Sequence, residues 1–128
     1  MHVLVVEDNP DTRDLLHQAL TNEGHEVSQA RGVTDALRLS DMHPDIDIVV
    51  VDINSTHQNS VVQIAQQMRR SLRHGKYVLA SGDWDAIEPF CQRDTIVLRK
   101  PYGKNDLLRA VDRCIDRMDY TEQVRRRA

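Results

Sequence analysis

The chain has 128 residues, of which 40% are hydrophobic and 29% charged, and its formal net charge is −3. This length fits one domain with its own hydrophobic core, and the near-neutral charge argues against general nucleic-acid binding. No apolar run reaches the roughly 18 residues of a membrane-spanning helix, and no secretory signal pattern precedes the first apolar run. Cys91 and Cys114 lack metal-binding spacing, which is typical of free thiols in a reducing compartment. We therefore expect a cytoplasmic protein of one domain.

The hydrophobic pattern alternates between two periods along the chain. Short apolar runs, typical of strands that are buried on both faces, occur at 3–7, 46–52, 77–80 and 95–98, and the more polar stretch 25–30 predicts a weaker strand near an edge of the sheet. Apolar residues at helical spacing occur at 10–23, 33–42, 61–75, 84–93 and 105–118. Five strands alternating with about five helices predict a doubly wound α/β fold, in which helices cover both faces of a parallel sheet.

The first predicted helix has the clearest ends. Asn9 is a candidate N-cap, and Pro10 suits the first helical turn because its missing N–H is not needed there. Gly24 is the expected stop, since glycine readily takes the left-handed conformation that ends many helices. In contrast, Pro89 lies in the middle of the fourth predicted helix and should shorten or break it.

Charged residues stand at the carboxyl ends of three predicted strands. Glu7 and Asp8 follow the first strand, Asp52 ends the third, and Lys100 follows the fifth. Because the carboxyl ends of parallel strands form the ligand site of an open α/β sheet, we expect these groups to converge. Three carboxylates repel each other unless a divalent cation joins them, and oxygen ligands favour Mg²⁺. A lysine beside a metal and a carboxylate suggests phosphoryl chemistry.

In this order, the residues at four strand ends resemble the receiver domain of bacterial two-component response regulators. They are Glu7, Asp8, Asp52, Ser81, Lys100 and Pro101. The resemblance implies a flavodoxin-like, three-layer α/β/α sandwich with strand order 2-1-3-4-5 and a site between strands one and three. It covers nearly the whole chain, so we expect a receiver domain at 1–120. Residues 121–128, which are rich in arginine, are expected to be a basic tail or a helix extension.

The resemblance assigns roles to the residues at the site. Asp52 is the implied phosphoacceptor, and Glu7, Asp8, Asp52 and the backbone carbonyl of Asn54 are the implied Mg²⁺ ligands. Lys100 would pair with the phosphoryl group, which helps a weak carboxylate nucleophile by neutralising charge.

Further residues would carry or modulate the switch. Ser81 is the implied switch hydroxyl, which moves to bond the phosphoryl group, and the bond before Pro101 is often cis in this family. Asn54 and Asp83 would lie beside the path of attacking water, where Asp83 could either orient that water or repel the phosphoryl group. Val97 occupies a position where the family often has Tyr or Phe. In the family, that aromatic ring swings inward when the switch hydroxyl moves, and this chain has no such ring at the position.

Two other departures from the family pattern concern loops and the output surface. Residues 55–60 lack the proline and glycine that usually follow the phosphoacceptor, so this loop is expected to be longer or more mobile. The short helix expected at 84–93 implies an atypical partner surface.

The resemblance implies a signalling protein that is not an enzyme, apart from slow hydrolysis of its own aspartyl phosphate. It would accept a phosphoryl group from a sensor histidine kinase or a phosphotransfer protein and act on a downstream protein target, which the sequence does not name. Homodimerisation stays open, and neither membrane nor nucleic-acid partners are expected. One alternative is a pseudo-receiver that binds proteins without phosphorylation. Another is a haloacid-dehalogenase-like phosphatase, although its second motif aspartate would be Asn54 here.

Overall fold

Strands and helices alternate along the protein, as its hydrophobic pattern predicts. The computed structural model describes residues 1–52, 60–83 and 93–118. Its strands are β1 (His2–Glu7), β2 (Glu26–Ala30), β3 (Ile48–Asp52), β4 (Lys76–Ser81) and β5 (Thr95–Arg99). The helices of these ranges are α1 (Pro10–Asn22), α2 (Val33–Met42), α3 (Ser60–Met68) and α4 (Lys104–Asp116). The helix predicted at 84–93 falls, except for its last residue, outside the described residues.

The five strands form one parallel sheet in the order β2-β1-β3-β4-β5. This confirms the predicted doubly wound fold and its strand order. Every residue of β1 and β3 is buried, whereas β2 is partly exposed because it lies at the edge of the sheet. The sheet therefore places the carboxyl ends of β1 and β3 side by side at its centre.

Two hydrophobic cores, one on each face of the sheet, hold the helices in place. On one face, Leu20 of α1 and Leu107 of α4 pack against alternate strand residues such as Val50. On the other face, Ala36 of α2 and Ile64 of α3 pack against the intervening strand residues. Full burial of a leucine or isoleucine side chain contributes about 1.5–3 kcal/mol, so these two layers fix the sheet that carries the site.

The ends of α1 follow the predicted capping chemistry. The Asn9 side chain accepts a hydrogen bond from the backbone N–H of Thr12 at 3.0 Å, which satisfies a donor that the first turn leaves free. Gly24 has a φ of 90°, a conformation that glycine adopts without strain, and it follows the helix end at Glu23. The polypeptide can therefore turn sharply into β2.

The helix predicted at 61–75 was too long, because α3 ends at Met68. Leu72 continues the helical spacing and is buried in the same core, but it lies in the turns that follow the helix. The spacing of apolar residues indicates which side chains are buried, but it does not by itself indicate where the helical backbone ends. The other described elements differ from prediction by at most two residues at either end. No helix within the described residues is long and apolar enough to span a bilayer.

Candidate functional site

The sheet brings three of the predicted site residues together. Glu7 and Asp52 are register partners at the ends of β1 and β3, and both are buried, with 1% and 4% exposure. Lys100 follows β5, and its Nζ lies 2.5 Å from Asp52 Oδ1. This ion pair and the facing carboxylate place two negative groups and one positive group at one point of the sheet edge.

The Glu7 carboxylate is incompletely bonded. Its Oε1 accepts a hydrogen bond from the backbone N–H of Asn9 at 3.0 Å, whereas its buried Oε2 has no hydrogen-bond partner in the described part of the chain. Burial, followed by the negative charge of Asp52, raises the pKa of Glu7 to about 8, against the opposing effect of the Asn9 bond. A buried carboxylate oxygen without a partner, beside a second carboxylate, suits a divalent cation, since a cation would satisfy that oxygen and offset the repulsion.

Of the other two predicted metal ligands, Asp8 lies within the described residues and Asn54 does not. Asp8 is exposed, and its side chain interacts with that of Glu7 and contributes to the raised pKa of Glu7. Asn54, whose carbonyl was expected to complete the set, lies outside the described residues. Glu7 contacts both Asp52 and Asp8, and carboxylate oxygens are the ligands that Mg²⁺ prefers.

Lys100 is positioned by the end of β5 and by its neighbour β4. Its backbone N–H donates to the carbonyl of Ser81 at 3.0 Å, and the Lys100–Pro101 peptide bond is cis, as the resemblance implied. Sheet pairing of Ser81 with Arg99 sets the next residue, Lys100, at the same edge as Asp52. The side chain is 25% exposed, so its ammonium group lies between the buried carboxylate and solvent.

Ser81 and Asp83 form a local turn after β4. The Ser81 hydroxyl accepts a hydrogen bond from the backbone N–H of Asp83 at 3.1 Å, and the Asp83 side chain is exposed. Val97 lies within β5, is half-buried, and packs against the core on the α2–α3 face of the sheet. The structure thus puts Ser81 at the site edge, while Val97 belongs to one of the two cores.

Tyr102 contacts Asp52 and was missed in the sequence. Its hydroxyl donates a hydrogen bond to Asp52 Oδ2, and burial together with this contact raises the pKa of Tyr102 above its ordinary range. The available signal was a hydroxyl-bearing aromatic two residues after Lys100, in the loop that leads into α4. The resemblance places an aromatic ring before the lysine, where this chain has Val97, whereas the ring that contacts Asp52 comes after the lysine.

A cavity of about 710 Å³ opens beside this cluster, between α1 and α4. Glu7, Asp52, Lys100 and Tyr102 line it on the site side, and Leu15 of α1, which is 66% exposed, lines it farther out. The cavity gives a small anionic group a route to Asp52. A carboxylate with an ammonium group 2.5 Å away can accommodate a group whose negative charge the ammonium offsets.

Comparisons with known proteins agree with this architecture. The family model described as the response regulator receiver domain matches residues 3–112. A Bacillus subtilis (strain 168) protein, the uncharacterized transcriptional regulatory protein YrkP, is 30% identical over 106 residues. That match covers 72% of this chain and 45% of the relative, so the chain spans less than half the length of this relative.

Solved structures show the same fold. A response regulator receiver protein from Sinorhizobium medicae WSM419 superposes with a TM-score of 0.78 at 21% identity, covering 93% of this chain and 97% of that one. A response regulator receiver domain protein from Clostridium thermocellum gives 0.78 at 25% identity, covering 91% and 94% of the two chains. Together with the family match over most of its length, these results show that the chain belongs to the response regulator receiver domain family of two-component systems.

Proposed function

We propose that this chain is a phosphorylation-dependent receiver in which Asp52 accepts a phosphoryl group and the resulting change is passed to a protein partner. The observation that carries this proposal is the pairing of Lys100 Nζ with Asp52 Oδ1 at 2.5 Å, opposite the incompletely bonded carboxylate of Glu7. Receiver domains interact with histidine kinases or phosphotransfer proteins and with downstream effectors. We therefore infer that the phosphoryl donor is a phosphohistidine on such a protein.

Receiver domains generally bind Mg²⁺ at their acidic site, and the carboxylates here fit that ion. Glu7, Asp8 and Asp52 would hold it, with the Asn54 carbonyl as the further ligand that the resemblance implies. When bound, Mg²⁺ supplies positive charge that offsets the negative charge of the carboxylates and of the phosphoryl oxygens.

The transfer itself would use the protein's own residues as follows. An Asp52 oxygen attacks phosphorus, the bond from phosphorus to the donor histidine nitrogen breaks, and that nitrogen keeps the electron pair. The Lys100 ammonium, already beside Asp52, offsets charge on the phosphoryl oxygens. Ser81 Oγ accepts a bond from Asp83 N, so its own O–H is left to donate to a phosphoryl oxygen. The hydroxyl would in this way report the presence of the phosphoryl group.

Other parts of the proposal follow from the same assignment. Asn54 and Asp83 would modulate hydrolysis of the aspartyl phosphate, and Val97 would leave the output without an aromatic ring at that position. The receiver would occupy 1–120, with 121–128 as its basic extension, and it would act in the cytoplasm. Homodimerisation stays a prediction.

Membership of the receiver family bears differently on the two alternative functions. Membership of the receiver family leaves the haloacid-dehalogenase-like phosphatase without support. A phosphorylation-independent pseudo-receiver would have the same fold, and it is separated from a working receiver by chemistry at Asp52.

The phosphoryl mimic beryllofluoride tests the proposal without a kinase. We expect ¹⁹F NMR to show a bound beryllofluoride signal that requires Mg²⁺ and disappears in Asp52→Asn. A signal that persists in Asp52→Asn would move the acceptor elsewhere. A folded wild-type protein without any bound signal would favour the pseudo-receiver.

A further inference from the structure

We propose that the Tyr102 hydroxyl is a gate on Asp52: while it is bonded to Oδ2, the carboxylate is held unreactive, and the hydroxyl must leave before the carboxylate can accept a phosphoryl group. This inference rests on the proposed role of Asp52 as phosphoacceptor. The hydrogen bond from Tyr102 would thus be an inhibitory contact, in addition to the Lys100 ion pair that favours the reaction.

Both oxygens of the Asp52 carboxylate have partners. Lys100 Nζ contacts Oδ1, and the Tyr102 hydroxyl donates to Oδ2. Asp52 is only 4% exposed, so water has little access to replace Lys100 or Tyr102 at the carboxylate. The oxygen that attacks phosphorus needs a lone pair that no donor engages, and the Tyr102 bond occupies one on Oδ2 and competes there with a cation.

The chemistry of the two partners decides which one leaves. The ammonium of Lys100 is attracted both by the carboxylate and by an incoming phosphoryl group, so it can stay in the site throughout the transfer. A phenol contributes no positive charge, and its hydrogen bond draws electron density from the oxygen that would act as nucleophile. The Tyr102 hydroxyl is therefore the contact that opposes the reaction.

The surroundings of Tyr102 give its side chain room to move. The residue is half-buried, packs against the core shared by α1 and α4, and lines the 710 Å³ cavity beside Asp52. Its loop is fixed at both ends, by Lys100 N bonded to Ser81 O and by Gly103 N bonded to the Asp106 carboxylate at 2.8 Å. The Tyr102 hydroxyl could therefore leave Asp52 by rotation of the ring into the cavity, while both ends of the loop stay in place.

The same position links the gate to the surface between α1 and α4. Tyr102 and the exposed Leu15 line one cavity, and Tyr102 directly precedes Gly103, the N-cap residue of α4. A ring that leaves Asp52 would enter the space between these two helices. Phosphorylation would in this way change the shape of the α1–α4 surface.

The test compares Tyr102→Phe, which removes the hydroxyl and keeps the ring, with the wild-type protein. We expect the initial rate of Mg²⁺-dependent labelling by acetyl phosphate to rise at least about tenfold, a factor equivalent to about 1.4 kcal/mol, which is close to the lower end of the range for a hydrogen bond to a charged group. The matched control is Tyr77→Phe. It removes a buried hydroxyl that has no hydrogen-bond partner among the described residues, at the opposite end of β4 from Ser81. Its rate should equal that of wild type.

A second readout does not depend on phosphorylation. Calorimetric titration with Mg²⁺ should show several-fold tighter binding in Tyr102→Phe, since Oδ2 is freed, and unchanged binding in Tyr77→Phe. A purely structural role for Tyr102 would leave both Mg²⁺ affinity and labelling rate unchanged when the ring is kept. Tyr102→Met fills the space without a hydroxyl and repeats both measurements if the phenylalanine variant folds poorly.

The outcomes separate this inference from the proposed function. Wild-type labelling with an unchanged or slower rate in Tyr102→Phe would overturn the gate and leave Asp52 as the acceptor. Labelling of Tyr102→Phe with none of wild type would support both the acceptor and the gate. If neither protein is labelled, the proposed function fails and the gate is overturned with it.

Discussion

Glu7 and Asp52 face each other as register partners on neighbouring parallel strands, with both carboxylates buried. Burial, followed by the negative charge of Asp52, raises the pKa of Glu7 to about 8, so a negative charge on Glu7 beside Asp52 is costly at this position. A fold that needed only stability would place apolar residues at these strand ends. The pair is therefore best understood as a site for positive charge.

Glu7→Gln should weaken Mg²⁺ binding and leave the fold intact. The amide keeps the volume and one acceptor oxygen but removes the negative charge, so we expect the affinity to fall by at least about tenfold. Without Mg²⁺, the variant should be at least as stable to thermal unfolding as wild type, because a buried like-charge pair is gone. Titration calorimetry and thermal melts, with the exposed Glu23→Gln as matched control, measure both effects. Equal Mg²⁺ affinities in Glu7→Gln and wild type would remove Glu7 from the ligand set.

Mg²⁺ binding should also depend on pH with a defined sign. A proton on Glu7 competes with the cation, and with a pKa of about 8 this carboxyl loses its proton as the pH rises from 7 to 9. Wild-type affinity should therefore increase over that range, and the affinity of Glu7→Gln should increase much less. Parallel titrations at pH 7, 8 and 9 measure the difference. Equal pH dependence in both proteins would show that another group controls binding.

Lys100→Ala should preserve Mg²⁺ binding and slow phosphorylation. The ammonium is the cation that the structure places beside the acceptor oxygen, and loss of one such transition-state contact typically costs about a hundredfold in rate. The matched control is Lys104→Ala, which removes an exposed lysine at the start of α4. Labelling by acetyl phosphate at saturating Mg²⁺ gives the rates. A Lys100→Ala protein that labels as fast as wild type would make Lys100 a surface lysine without a role in the transfer.

His25 should make the protein less stable in mild acid. Burial, followed by the nearby N-terminal charge, lowers the pKa of His25, and its buried Nδ1 has no hydrogen-bond partner within the described ranges. Below the ordinary histidine pKa of about 6.5 the unfolded chain binds a proton that the folded chain resists, so acid favours unfolding. The free energy of unfolding in urea should fall from pH 7.5 to 5.5 more steeply in wild type than in His25→Gln. His74→Gln, at an exposed position, is the control and should leave the pH dependence of the unfolding free energy unchanged. Equal pH dependence in wild type and His25→Gln would contradict a role for His25.

The sequence was sufficient to predict the sheet and three of the charged residues in the site. The runs that end at Glu7 and Asp52 are short, continuous and mostly β-branched, which favours strands buried on both faces, and parallel topology then brings their ends together. Lys100 follows from the same argument at β5. These predictions needed no knowledge of loops.

Two features could not be predicted because they depend on where loops and turns run. Tyr102 reaches Asp52 through the path of the loop between β5 and α4, and hydrophobic periodicity carries no information on that path. Leu72 keeps the helical spacing of α3 although the helix has ended at Met68, since a turn can deliver a side chain to the same core. The burial of Leu72 was predictable from its spacing, whereas the direction of the backbone in both regions was not.

The central claim is that Asp52 is a working phosphoacceptor, and intact-mass measurement after incubation with acetyl phosphate tests it most directly. The comparison needs wild type and Asp52→Asn, each with and without Mg²⁺, and circular dichroism to show that both are folded. We predict an adduct of a single phosphoryl group that forms only with Mg²⁺ on wild type and is absent from Asp52→Asn. An adduct that persists in Asp52→Asn, or a folded wild-type protein that forms none, would contradict the claim.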